Sequence, residues 1–222
     1  MAKRQIAEYR QSYILRIMAT AVLLFIAFLS SSHGGVVLGC FILLILIWIW
    51  GFKEKILLYP HQLKKESLFG ETVVPFNART EFYYQFVSVS VSFVPVGQHT
   101  YITVKNGPHK VKMNSNIKDI EALRQSLIQV EIAVLKSHVE QSIQNKTSLD
   151  FGVLKVSAVG VAYRNKMLTY AEIEDFGVEN GEFYMKKIGV RGHFFKISIS
   201  EIPNMSTFFA LLEYYFQQKL IP

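Results

Sequence analysis

Cysteine is almost absent from this 222-residue sequence, which contains one, Cys40. A single cysteine excludes an internal disulfide and a zinc site built from several thiolates. The sequence also has no HExxH or HxH pattern, no G-x-S-x-G elbow and no glycine-rich loop between a strand and a helix. These are the patterns in which metals, nucleophiles and nucleotides are usually held. We therefore expect no enzyme, no catalytic residues, no metal and no cofactor.

Charge is missing from the whole segment between Ile17 and Phe52. The mean hydropathy of +0.24 is high for a chain of this size. The uncharged segment is too long for one helix across a hydrocarbon core of about 30 Å. Small and polar residues from Ser30 to Gly35 divide it in two. The sequence predicts a transmembrane hairpin over residues 13–52, with a re-entrant hairpin as the alternative.

Basic residues flank this apolar segment on both sides. Residues 1–16 and 53–65 each carry a net charge of +3, whereas residues 66–222 hold 16 basic and 15 acidic side chains. Because lysine and arginine near membrane ends stay in the cytoplasm, the pattern predicts an integral, multi-pass cell-membrane protein with both termini cytoplasmic. The basic N-terminus, residues 1–12, then precedes the hairpin. The nearly neutral remainder argues against nucleic-acid binding, and the second apolar run argues against a cleaved signal peptide.

Alternating apolar and polar residues follow the hairpin and predict a first sheet over residues 53–116. Two of its strands, Tyr101–Lys105 and Lys110–Met113, flank the turn dipeptide Asn106-Gly107 and should pair as a hairpin. Apolar residues then recur every three or four positions from Ile117, which predicts a long amphipathic helix over residues 117–146 that caps the sheet.

The same order returns in residues 147–222, where short strands precede a final helix. The apolar side of that helix carries Phe208, Leu211, Leu212, Tyr215 and Phe216. Two segments with strands first and one closing helix last are typical of an internal duplication.

The second segment resembles a known family in four stretches, 151–156, 160–164, 168–173 and 181–184. They read FGVLKV, GVAYR, LTYAEI and GEFY, and Ile202-Pro203-Asn204 precedes the last helix. In these features the chain resembles bacterial-type pleckstrin-homology-like (PH-like) membrane proteins. The resemblance implies an α+β fold with a membrane anchor, in which a transmembrane hairpin is followed by two PH-like modules. Each module would be a bent antiparallel sheet capped by a C-terminal helix.

Six lysines near the predicted membrane surface are candidates for binding anionic lipid headgroups, since each such cation contributes about 1 kcal/mol beside an anionic leaflet. They are Lys53, Lys55, Lys64, Lys65, Lys110 and Lys112. The alternative is that they only solubilise the surface. For a second basic set in residues 186–196 we favour that plainer interpretation. An acidic set, Glu172, Glu174, Asp175 and Glu179, fits a solvated strand edge better than a cation site.

Together these features predict a non-enzymatic, membrane-anchored binding or assembly protein. Its partners would be the lipid bilayer and either a partner protein or anionic lipid headgroups, with a homo-oligomer also open. The alternative is an accessory structural subunit of a larger membrane protein complex.

Overall fold

A computed structural model of the chain describes residues 5–30, 33–67, 70–91 and 94–219, without the side chains of residues 14–16, 50–53, 88–98 and 219. Within this part the fold is α+β, with four α-helices and four antiparallel sheets. The elements divide into a helical hairpin and two modules of strands, each closed by a helix.

The first module contains a four-stranded and a three-stranded sheet. The four strands run in chain order, and each pairs with its neighbour; they are β1 (Ala7–Arg10), β2 (Lys55–Tyr59), β3 (Gln62–Ser67) and β4 (Gly70–Pro75). The second sheet is likewise a meander, of β5 (Glu81–Val91), β6 (Val94–Asn106) and β7 (His109–Asn114). Alternate side chains of both sheets form one apolar core, in which Leu58, Leu63 and Phe82 have no exposed surface.

Strand β1 lies before the helical hairpin in sequence but inside the first sheet in space. Its register against β2 runs from Ala7 opposite Leu58 to Arg10 opposite Lys55. Tyr9 is buried, and its hydroxyl lies 3.1 Å from Ser126 Oγ. The sequence pattern predicts no strand within residues 1–12. The helical hairpin is therefore an insertion in the chain between β1 and β2, which are neighbouring, paired strands of one sheet.

The helices of the hairpin form where the sequence predicts them, but the prediction that they cross a membrane is wrong. They are α1 (Ile14–Leu29) and α2 (Gly34–Lys53), and Trp48 on α2 donates from Nε1 to Thr20 Oγ1 on α1 at 3.0 Å. In the described part of the chain, no helix is long and apolar enough to cross a membrane. The 16 residues of α1 reach about 24 Å, short of a core of about 30 Å.

The membrane anchor in the predicted fold class and the assignment as an integral multi-pass protein with cytoplasmic termini are corrected accordingly. What remains of that fold prediction is the α+β arrangement with a helical hairpin.

The predicted pairing of the two strands around Asn106-Gly107 is confirmed, with a different turn. Lys105 lies opposite Lys110, and the two central turn residues are Gly107 and Pro108. Gly107 has a φ of 57°, whereas Asn106 is not among the residues with positive φ. Proline fixes φ near −65° and cannot take a positive value, so glycine must supply the positive φ at the first central position.

The second module repeats the order of the first. Its four-stranded sheet is formed by β8 (Leu149–Phe151), β9 (Leu154–Val156), β10 (Gly160–Tyr163) and β11 (Lys166–Thr169). Its three-stranded sheet is formed by β12 (Ile173–Glu179), β13 (Glu182–Lys187) and β14 (Phe195–Ser198). Two short 3-10 helices, Tyr170–Glu172 and Ile199–Glu201, join these elements.

One helix closes each module. The first, α3 (Ile120–Asn145), places Leu123 and Leu127 in the core of the first module and packs Val139 and Ile143 against the core of the second. The last helix, α4 (Met205–Lys219), buries the apolar side that the sequence predicts, with Leu212 fully enclosed. Because α3 contributes to both cores, it holds the two modules together.

Candidate functional site

Three of the six candidate lysines are engaged in ion pairs on the first sheet. Lys55 pairs with Glu66 at 3.0 Å, and Lys64 pairs with Glu66 at 2.8 Å and with Glu71 at 2.5 Å. Lys65 pairs with Glu54. The hydrogen bond to Glu66, followed by the one to Glu71, raises the pKa of Lys64. The fourth lysine of this group, Lys53, has its side chain outside the described part of the chain.

The other two candidates, Lys110 and Lys112, lie on β7 and have no carboxylate partner among the described residues. Both are exposed. Cross-strand pairing puts Lys110 opposite Lys105 and Lys112 opposite Thr103, so these side chains share the outer face of the second sheet. Of the five candidates whose side chains are described, the structure thus places three in ion pairs on one sheet and two without a carboxylate partner on another.

A shallow concavity of about 350 Å³ lies on this outer face. We call this concavity, with the side chains that line it, the β5–β7 face. Its lining combines lysines with tyrosines and small polar side chains: Tyr83, Gln85, Tyr101, Thr103, Lys105, Lys110, Lys112 and Ser200. Its polar groups are partly committed, because the Tyr83 hydroxyl donates to Glu81 Oε2 at 2.9 Å and Lys105 pairs with the same oxygen at 3.0 Å. Burial, and then that hydrogen bond, raises the pKa of Tyr83 to about 12.

The second basic set and the acidic set turn out to pair with each other. Lys187 bonds Glu172 at 2.8 Å, Lys186 lies 3.4 Å from Asp175, and Lys196 lies 3.7 Å from Glu179. The bond to Lys187, supported by Thr169, lowers the pKa of Glu172 to about 2. The described residues contain no group of three or more metal-ligating side chains. Three residues of the acidic set, Glu172, Asp175 and Glu179, are therefore counter-charges for nearby lysines.

A junction of buried polar groups joins the two modules. Asn204, just before α4, donates its backbone N–H to the Phe82 carbonyl at 2.7 Å, and its Oδ1 accepts from the Phe82 N–H at 2.9 Å. Asn204 has a positive φ of 55°, a conformation that asparagine adopts more readily than most other residues. The strand β5 is thereby fastened to the start of the last helix.

Glu131 on α3 completes this junction from the other side. One carboxylate oxygen, Oε1, accepts from the Thr207 N–H at 2.9 Å and from the Thr207 hydroxyl at 3.0 Å, and so caps the first turn of α4. The other oxygen, Oε2, and the nearby Tyr84 hydroxyl are buried without a hydrogen-bond partner. Burial raises the pKa of Glu131 and of Tyr84, and the carboxylate adds to the rise at Tyr84.

Sequence reasoning missed Glu131, although a signal was present. Leu123, Leu127 and Leu135 are buried at four-residue intervals on α3, and Glu131 occupies the remaining position of that row. An acidic residue on the apolar stripe of a helix is expected to have a partner in the protein. The partner, Thr207, could not be identified because it is 76 positions further along the chain.

Comparison with known proteins gives one match. No curated protein and no solved structure matches the chain. The sequence does match a family model described as "Family of unknown function (DUF6585)" over residues 1–219, nearly its whole length. The chain therefore belongs to the DUF6585 family.

Proposed function

We propose that the chain is a non-enzymatic binding protein built of two PH-like modules, and that the β5–β7 face binds an acidic segment of a partner protein. The PH-like assignment is supported by the order of elements. In each module a four-stranded meander and a three-stranded meander are followed by one closing helix. The binding assignment depends on one observation, that the two lysines of β7 have no carboxylate partner in the part of the chain that the structure describes.

A protein segment fits this face better than a lipid headgroup. Three of the lysines that the sequence assigned to headgroups beside the hairpin, Lys55, Lys64 and Lys65, are neutralised by Glu54, Glu66 and Glu71. The remaining pair, Lys110 and Lys112, is set among tyrosine, glutamine and threonine side chains. These groups can form hydrogen bonds with the backbone and side chains of a peptide, while two lysines supply attraction for carboxylates.

Replacing both free lysines, Lys110→Gln with Lys112→Gln, is expected to weaken binding of an acidic peptide at least tenfold, which corresponds to about 1.4 kcal/mol. The measurement is fluorescence anisotropy of a labelled glutamate- and serine-rich peptide with the full chain. Binding to the unchanged protein should also weaken as salt shortens the Debye length from about 10 Å at 0.1 M to 3 Å at 1 M.

The matched control is Lys118→Gln with Lys146→Gln, which removes the same charge from exposed positions elsewhere. This variant should bind the peptide as the unchanged protein does. Equal affinities for the two double variants would show that only net charge matters and would contradict the proposal. Binding of anionic vesicles that depends on Lys110 and Lys112, with no peptide binding, would assign the face to headgroups instead.

A second candidate function is that of an accessory subunit of a larger complex, and the surface of the hairpin favours it. Most of the large apolar side chains described on α1 and α2 point outward, and Phe25 and Phe28 are 62% and 76% exposed. Monomeric proteins rarely leave a contiguous apolar area of this extent uncovered. Helices of a partner protein are the natural cover.

The subunit function predicts that Phe25→Ser with Phe28→Ser abolishes a stoichiometric association seen on purification in mild detergent. The control, Ile132→Ser with Met167→Ser, removes two apolar side chains that are also exposed, at 45% and 50%. Light scattering with subunit staining measures the stoichiometry. Persistence of the complex in the hairpin variant, or its loss in the control, would count against this function.

A further inference from the structure

A second concavity in the described part of the chain lies between the two modules. It has a volume of about 600 Å³ and is distinct from the β5–β7 face. One wall is the corner between β4 and β5, and the opposite wall is the β8–β9 hairpin. Leu135, His138 and Val139 of α3 and Pro203, Asn204 and Thr207 at the start of α4 complete it. Volumes of about 300–1,000 Å³ at module interfaces are typical of small-molecule sites.

Hydrogen bonds hold the β4–β5 corner in a fixed shape. Asn77 Oδ1 accepts from the Arg79 N–H at 2.8 Å, and the Asn77 N–H donates to Thr80 Oγ1 at 2.9 Å. Thr80 is fully buried, and its hydroxyl also donates to the Pro75 carbonyl at 3.3 Å. Arg79 therefore projects from a turn whose backbone is already ordered, which reduces the entropy lost when a ligand binds.

Close packing fixes the opposite wall. Gly152, at the turn between β8 and β9, has a φ of +68°, and a Cβ there would lie 2.8 Å from the Glu201 carbonyl oxygen and 3.0 Å from Pro203 Cδ. The β8–β9 hairpin thus sits directly on the segment that leads into α4. Since Asn204 is bonded to Phe82, both walls belong to one connected frame.

The charges around the cleft are unequally compensated. Asp150 pairs with Lys155 at 3.3 Å, and Glu81 pairs with Lys105 at 3.0 Å, so both acidic residues of the lining have counter-charges. The Arg79 guanidinium has no carboxylate within ion-pair distance among the described residues, and the exposed residues Arg79 and His138 both line this concavity. The lining holds two basic residues, Arg79 and Lys155, against Glu81 and Asp150, so its formal charge is zero. Arg79 supplies the unpaired cation beside the apolar surface of Val139 and Pro203.

We propose that this inter-module cleft binds a small organic anion. The carboxylate or phosphate group of the anion pairs with Arg79, and His138 is a further hydrogen-bond donor. The apolar part of the anion lies against Val139 and Pro203. A guanidinium presents a fork of donors that matches either anionic group. The proposal is independent of the β5–β7 face, because the two concavities share no lining residue.

The test uses the His138 imidazole as a local reporter in the full chain. Octanoate, acetate and inorganic phosphate are titrated separately, at constant ionic strength, while the Hε1 resonance of His138 is followed by NMR. The resonance is assigned as the one that disappears in His138→Gln. We expect a saturable shift with octanoate and an affinity at least tenfold higher than that for acetate.

Arg79→Gln should weaken octanoate binding at least tenfold, and an octyl phosphate arm should show the same dependence. The control, Arg191→Gln, removes an exposed arginine in a loop of the second module and should leave the titration unchanged. A His138 shift that is absent with octanoate, or that survives Arg79→Gln unaltered, would overturn the proposal. Phosphate binding as tightly as octanoate would overturn the assignment to an organic anion.

Discussion

Replacing Leu212 with alanine is expected to lower the free energy of unfolding by about 2–5 kcal/mol. Leu212 is fully buried in the core of the second module, where α4 closes the two sheets. Its neighbours in this core include Leu211, one position before it, and Phe208, which makes edge-on ring contacts at 5.4 Å with Phe151 and at 5.1 Å with Phe183. Closely packed residues of this kind move little to fill the cavity that the alanine leaves. Most of the contacts that the leucine side chain made are therefore lost without replacement.

Gln217→Ala is the matched control on the same helix. Gln217 is exposed, and substitutions at such positions usually change stability by no more than about 0.5 kcal/mol. Urea denaturation followed by circular dichroism gives both free energies. Equal stabilities of the two variants would contradict the assignment of α4 as the closing helix of the second core.

The second large effect is expected at Glu131, where two substitutions should separate charge from hydrogen bonding. Glu131→Gln keeps an acceptor for the Thr207 N–H and hydroxyl, whereas Glu131→Ala leaves both without one inside the protein. An unsatisfied buried group costs about 1–3 kcal/mol. The alanine variant should therefore be less stable than the glutamine variant by about that amount at pH 7, as measured by urea denaturation.

The pH dependence of the same variants has a defined sign. Burial is the main cause that raises the folded pKa of Glu131 above its ordinary value of 4.5, and Tyr84 and Arg124 are the other titratable groups acting at this site. A raised folded pKa gives stability that is present below about pH 4.5 and is lost as the pH rises through the folded pKa. The Glu131→Gln variant has no carboxyl group to ionise at this position, so it keeps this stability as the pH rises.

The advantage of Glu131→Gln over the unchanged protein should consequently grow from pH 4.5 upward and vanish below it. Glu140→Gln, on the exposed side of the same helix, is the control and should track the unchanged protein at every pH. A Glu131→Gln variant whose relative stability is independent of pH would show that the carboxylate keeps its ordinary pKa.

The regular elements with long patterns were predictable from sequence, and the short ones were not. The end of α3 at Asn145 and the positions of α1 and α2 agree closely with the prediction, because many residues share one periodicity. Strand β1 has four residues, of which only Tyr9 is buried, so no alternation was visible. Strand β11 is equally short, and Leu168 is its one buried residue.

The candidate site was only partly predictable, because ion pairing depends on strand register. The six lysines look equivalent in the sequence. Pairing of β2 with β3 puts Glu66 opposite Lys55, and pairing of β3 with β4 puts Glu71 opposite Glu66, which brings both carboxylates to Lys64. Among the described residues, no ion pair involves Lys110 or Lys112 of β7. The error about the membrane had a different origin, since hydropathy was judged over the whole uncharged segment, whereas α1 within it has only 16 residues.

The insertion of the hairpin between β1 and β2 also affects the chain entropy of the first module. Arg10 and Lys55 are direct partners in the sheet although 44 residues separate them. A flexible loop of that length would cost about 2 kcal/mol more to close than a four-residue turn. The antiparallel packing of α1 on α2 removes most of this cost, because it returns the chain to its starting point. At the base of the hairpin, Gln11 donates a hydrogen bond to Glu54, which holds its two ends together. Once the two helices have formed, β1 and β2 therefore lie side by side.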